Sequence, residues 1–120
     1  MFDRYQDAKQ IQECVRRCLA CEDACQDTSM HLVASDSGPE AAGRRQRLAD
    51  CGSMCQTTVG FLLRGSPYAA QALEMCADIC EACAEECMPL NSDAIVLRTI
   101  ELCGDCESAC RNMETMSAGV

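Results

Sequence analysis

Cys14-Val15-Arg16-Arg17-Cys18-Leu19-Ala20-Cys21-Glu22-Asp23-Ala24-Cys25 places cysteine at successive intervals of four, three and four. An α-helix turns about 100° per residue, so positions three, four, seven and eleven apart share a face. The four thiols fall within a stripe about 60° wide. The same spacing returns at Cys76, Cys80, Cys83 and Cys87. Cys51 and Cys55 share a stripe with Leu48 and Leu62, and Cys103, Cys106 and Cys110 share one with Val96, Thr99 and Ser117. In an amphipathic bundle each such stripe turns toward the common axis.

Turn signals divide the chain around these stripes. Ser35-Asp36-Ser37-Gly38-Pro39, Gly65-Ser66-Pro67 and Met88-Pro89-Leu90-Asn91-Ser92-Asp93 are the punctuation. No sustained period-two pattern marks a strand. Helices are expected over 4–34, 39–64, 67–88 and 93–116, with Pro39 and Pro67 opening the second and third. Ser66, and Ser92 or Asp93, are the expected N-caps. Short connections make consecutive helices antiparallel neighbours. The reading is a single all-α domain over 1–120, an up-down-up-down four-helix bundle with a cysteine-lined core. The repeated cysteine spacing suggests a duplicated hairpin, although the second and fourth helices match each other less closely.

Composition supports an interior filled with sulfur. Of 120 residues, 13 are Cys and seven are Met, against no Trp, two Phe and two Tyr. A free cysteine is often a small buried hydrophobe, and one or two would need no other account. Thirteen at helical spacing, with none in the turns, exceed what packing requires. An odd count leaves at least one thiol unpaired in any disulfide scheme. Phe2, Asp3, Arg4, Tyr5, Gln6 and Asp7 give no apolar leader after Met1. A reducing cytoplasm is therefore expected, with export after removal of a leader as the alternative.

The net charge of −9 speaks against nucleic acid and anionic membranes as partners. No apolar run reaches the roughly 20 residues needed to span a bilayer. Arg16, Arg17, Arg44, Arg45 and Arg47 read as solvated helix surface.

Cysteine pairs at i,i+4 occur six times, at 14/18, 21/25, 51/55, 76/80, 83/87 and 106/110, leaving Cys103 alone. Such a pair puts two sulfurs on adjacent turns, where they can grip one soft ion. Copper(I) favours thiolate and thioether ligands, and two sulfurs suffice for it. With thiolates bridging between neighbours, the expected load is roughly one copper(I) per cysteine. Zinc, which asks for four ligands in a tetrahedron, is the alternative, as a zinc or mixed-metal thiolate buffer. An iron–sulfur cluster fits less well, because the helical C-x3-C-x2-C-x3-C differs from ferredoxin spacing. Redox chemistry at the CxxC units 18/21, 80/83 and 103/106 would want a βαβ setting and one acidic thiol. Nothing singles out a nucleophile beside His31, the sole histidine, so no enzyme is expected.

Three stretches together resemble a known family. They are Cys14-x3-Cys18-x2-Cys21-x3-Cys25; Asp50-Cys51-x3-Cys55-Gln56 leading into Leu63-Arg64-Gly65-Ser66-Pro67; and Cys76-x3-Cys80-x2-Cys83-x3-Cys87. Over nearly its whole length the chain resembles the bacterial four-helix-bundle copper storage proteins. That resemblance implies a homotetramer of bundles, each filled with copper(I) held mainly by cysteine pairs. Family members include exported and cytosolic forms, and 13 cysteines look closer to the exported type. The resemblance also implies that copper is admitted at one open bundle mouth by His and Met. Met30 and His31 at the end of the first helix and Met88 at the end of the third are the candidates here. Met54, Met75 and Met113 read as core fillers. The opposite pole, near Ile11, Phe61, Leu62, Tyr68 and Leu73, reads as apolar and closed.

Overall fold

Four helices form where the cysteine stripes place them. The computed structural model describes the backbone of residues 4–118 and the side chains of residues 7–114. Helix α1 spans Arg4–Ser35, α2 Ala41–Arg64, α3 Ala69–Cys87 and α4 Ala94–Ala118, with a 3-10 turn at Met88–Leu90. No strand occurs among the described residues. Helix α1 packs on α2 and α4, and α3 packs on the same two, so the helices stand at the corners of a square. The body is elongated, 50 × 22 × 19 Å. No helix is long and apolar enough to cross a membrane.

Local chemistry sets the ends. Gly65, with φ 63° and ψ 39°, takes the left-handed conformation that closes α2. Its N–H donates to the Leu62 carbonyl, and the Ser66 N–H donates to that of Phe61. Glycine adopts this conformation without a Cβ penalty. Asp93 caps α4, its Oδ1 accepting from the backbone N–H of Ile95 at 2.9 Å and of Val96 at 3.4 Å. This settles the choice between Ser92 and Asp93.

Two expected starts move by two residues. Pro39 and Pro67 do not open helices; each is the second residue of a turn. The Ala41 N–H donates to the Gly38 carbonyl and the Ala69 N–H to that of Ser66. Proline's fixed φ suits that turn position as well as it suits a first helical residue. Helical bonding begins later, with Arg44 N–H to Glu40 and Ala72 N–H to Tyr68. Ser66 is consequently not an N-cap of α3; its Oγ accepts from the Tyr68 N–H within the turn.

The core contains little besides sulfur and small aliphatic groups. All 13 cysteines are at most 1% exposed. Leu48, Leu62, Val96 and Thr99 are buried on the same stripes, whereas the Ser117 side chain lies outside those described. Met113 is buried and Met54 packs partly against the core. Met75 is a correction: it is 55% exposed, because one residue before Cys76 is about 100° off the buried stripe. At the pole near the end of α2, Leu62 and Leu73 are buried, but Tyr68 is exposed. Tyr68 lies in the turn before α3, where no helix covers it.

Candidate metal centre

The i,i+3 and i,i+4 spacing of cysteine on four helices delivers every thiol to one dry interior. All 13 are free. Close sulfur contacts run across helix pairs. Cys14 and Cys18 lie 4.0 and 3.9 Å from Cys110, and Cys18 lies 3.6 Å from Cys106. Cys106 is 3.8 Å from Cys55, which is 4.0 Å from Cys76. Farther along the axis, Cys21 is 3.7 Å from both Cys51 and Cys103, and Cys51 is 3.7 Å from Cys80.

Three groups of four thiols, each within 4.8 Å of one another, order this interior. They are 18/76/106/110, then 21/55/80/106, then 21/25/51/103. Cys106 belongs to the first and second groups and Cys21 to the second and third. Shared sulfurs link the groups along the axis. The unit that emerges is therefore not the i,i+4 pair alone: those pairs are rungs, and contacts between helices join them. Cys103, solitary in the pairing scheme, sits 3.7 Å from Cys21 and 4.0 Å from Cys51. Cys14, Cys83 and Cys87 fall outside the four-thiol groups.

So many thiols in a dry space cannot all ionise by themselves, since burial and mutual repulsion oppose charge. Cys103 is held protonated, its thiol pushed up by the contact with Cys21 first, then by Cys25, Cys51, Cys83 and burial. Cys55 is pushed up in the same sense, with Cys106 the leading cause. At the end of the stack the Cys14 thiol is pulled down to about 4 by hydrogen bonding from Cys110, then Cys18, against the opposing effect of burial. A cation entering the stack reverses this balance by replacing the proton as partner of each thiolate.

The pole at the end of α1 and the start of α4 is built differently. Thr28 and Thr99, at most 1% exposed, place their hydroxyls 2.6 Å apart. Thr99 also donates to the Ala24 carbonyl at 3.1 Å. Buried Leu32, Leu48 and Val96 lie beyond them. Arg44 corrects the surface reading. It is 5% exposed, its guanidinium donating to Asp36 Oδ2 at 2.6 Å and to the Glu86 carbonyl at 2.9 Å. It ties α2 to the end of α3 and to the connection after α1. Its register, four residues before Leu48 and seven before Cys51, was the signal that it lay on the buried stripe. Thr28, three residues after Cys25, carried the same signal.

The structure separates the three expected mouth residues. His31 Nε2 is 2.6 Å from Asp93 Oδ2, bridging α1 to the cap of α4. Asp93 is held below the usual carboxylate range chiefly by that His31 contact. Met30 is 78% exposed and lines a side cleft between α1 and α2. Met88 is half-exposed on the 3-10 turn.

This architecture has relatives. Residues 7–115 match the family described as copper storage protein. An uncharacterised cysteine-rich protein of Bacillus subtilis (strain 168), YhjQ, is 28% identical over 74 residues, covering 62% of this chain and 68% of that protein. A solved structure from Nitrosospira multiformis superposes with a TM-score of 0.81 at 28% identity, over 91% of this chain and 98% of that one. The Cu(I)-bound copper storage protein BsCsp3 gives a TM-score of 0.80 at 25% identity, over 88% and 98%. A Streptomyces lividans Ccsp variant gives 0.82 at 25%, over 90% and 95%. The match spans the cysteine stripes of all four helices, and the chain belongs to the copper storage protein family.

Proposed function

We propose that this chain stores copper(I) by filling the space between its helices with ions held on cysteine thiolates. One observation carries the reading: thirteen free thiols form a continuous sulfur stack inside a dry bundle. Thiolate sulfur suits a soft monovalent ion. Each ion displaces a proton from a thiol, so a neutral ion–thiolate unit replaces a neutral S–H and the core gains no net charge. Sulfurs shared between groups let one thiolate serve two ions, which favours a load near one copper(I) per cysteine. The role is holding rather than catalysis: His31, the sole histidine, is engaged by Asp93, and no single thiol is set beside a base. Free thiols throughout support a reducing compartment such as the cytoplasm. A homotetramer follows the family resemblance.

An anaerobic titration of the reduced chain with copper(I), competing against a chromophoric chelator, tests this. Tight binding of about one ion per cysteine is expected, with proton release. Saturation at a handful of ions would overturn it. The helices are packed without metal, so the metal-free reduced chain should show full helical circular dichroism.

A second reading has one observation in its favour. A tetrahedral zinc thiolate with Zn–S near 2.3 Å has an S–S edge of about 3.8 Å, and the cross-helix contacts are 3.6–4.0 Å. The three four-thiol groups would then hold about three zinc ions as a buffer. Competition between zinc and copper(I) in the same titration separates the two.

A further inference from the structure

The axial way into the sulfur stack is blocked at the Arg44 pole. Beyond Cys25 and Cys103 stand the paired hydroxyls of Thr28 and Thr99. Buried Leu32, Leu48 and Val96 follow, and the Arg44–Asp36 ion pair closes the end. No soft ligand lies along that path, and a guanidinium repels an arriving cation.

The flank between α1 and α2 is different. A cleft of about 520 Å³ opens there. Cys25, 1% exposed, lies at its floor, and Met30, 78% exposed, stands at its rim. Gly52 forms part of the wall. A Cβ at Gly52 would stand 3.8 Å from the Cys25 Cβ and 3.9 Å from the Glu22 Cγ. The missing side chain thus leaves the approach to Cys25 uncovered. Glu22, which also lines the cleft, supplies negative charge beside it.

We propose that this lateral cleft is the port through which copper(I) reaches the stack, with Met30 as the collecting ligand and Cys25 as the first thiolate. The assignment rests on the storage reading above. A thioether binds copper(I) without losing a proton, so it can take the ion from solution at neutral pH. The ion then passes by ligand exchange: the bond to the Met30 sulfur breaks, one to the Cys25 sulfur forms, and the Cys25 proton leaves through the cleft. The copper stays monovalent throughout. From Cys25 the ion is already within the group it forms with Cys21, Cys51 and Cys103, and Cys21 leads into the next.

The test is the rate of copper(I) uptake from a chromophoric chelator, followed by stopped flow, with the final capacity read in the same trace. Gly52→Ala adds a methyl group at ordinary contact distances, so it should fold while narrowing the cleft. It is expected to slow filling roughly tenfold, and Met30→Leu several-fold, with Gly52→Ala reaching the wild-type endpoint. Wild-type rates in both variants would overturn the port. So would slowing by His31→Ala or Met88→Leu while Gly52→Ala fills normally. A low endpoint in the wild-type chain would overturn the storage reading and the port with it. A normal endpoint with unmoved rates would remove the port alone.

Discussion

Along the bundle axis the interior changes material. From Cys14 to Cys25 on α1 the buried stripe is sulfur; from Thr28 to Leu32 it is hydroxyl and hydrocarbon, sealed by a buried ion pair. Both stretches lie on one amphipathic face and are equally buried. They differ in whether their polar groups are satisfied within the protein. The Thr28, Thr99 and Arg44 groups find partners at 2.6–3.1 Å. The thiols meet only one another, at 3.6 Å or more. One pole is finished as a structure, while the stack is left open to a ligand that can replace its protons.

If that contrast is right, damage at the pole should cost stability and damage in the stack should cost capacity. The largest stability loss is expected from Arg44→Ala. It leaves the Asp36 carboxylate and the Glu86 carbonyl without their partner, for about 3–5 kcal/mol in denaturant unfolding of the metal-free chain. A loss under about 1 kcal/mol would show the pole to be more solvated than the geometry states.

Next comes the hydroxyl pair. Thr28→Val should cost about 1 kcal/mol by removing the partner of Thr99, while Thr28→Val with Thr99→Val should recover much of that. Equal losses added together would mean that the two hydroxyls act independently.

Cys106→Ala sharpens the other side. Its apo stability should fall by no more than about 2 kcal/mol, yet its copper(I) capacity should fall by more than that of Cys87→Ala. Cys106 serves two four-thiol groups, whereas Cys87 serves none. Equal capacities in the two variants would show that sharing of sulfurs does not govern filling.

The smallest effect is expected at the surface latch. The carboxyl of Asp93 is lowered on folding, first by His31 and then by the N–H groups it caps. Its contribution is therefore complete above the ordinary aspartate range and fades as pH falls through the lower folded value. Asp93→Asn should melt slightly earlier than wild type at neutral pH, and the gap should close in acid below about pH 4. A constant gap across that range would remove the His31–Asp93 pair from the account.

Much of this was legible in the residues. The cysteine intervals showed the helices, their buried faces and the convergence of thirteen thiols, because a period near 3.6 has one geometric solution. Helix starts at Pro39 and Pro67 were misplaced, since proline's φ serves a turn and a first helical turn equally. Arg44 was missed because an arginine reads as surface unless its register is weighed above its charge. Cys103 looked solitary because intervals along one helix say nothing about sulfurs arriving from the others.

By itself the sequence determined that four amphipathic helices would bury their cysteines, a consequence of period and composition that no neighbour can reverse. Only the tertiary structure decided which sulfurs meet. That depends on the relative height and rotation of helices far apart in the chain, and on these depend the three linked groups, the sealed pole and the open flank at Cys25.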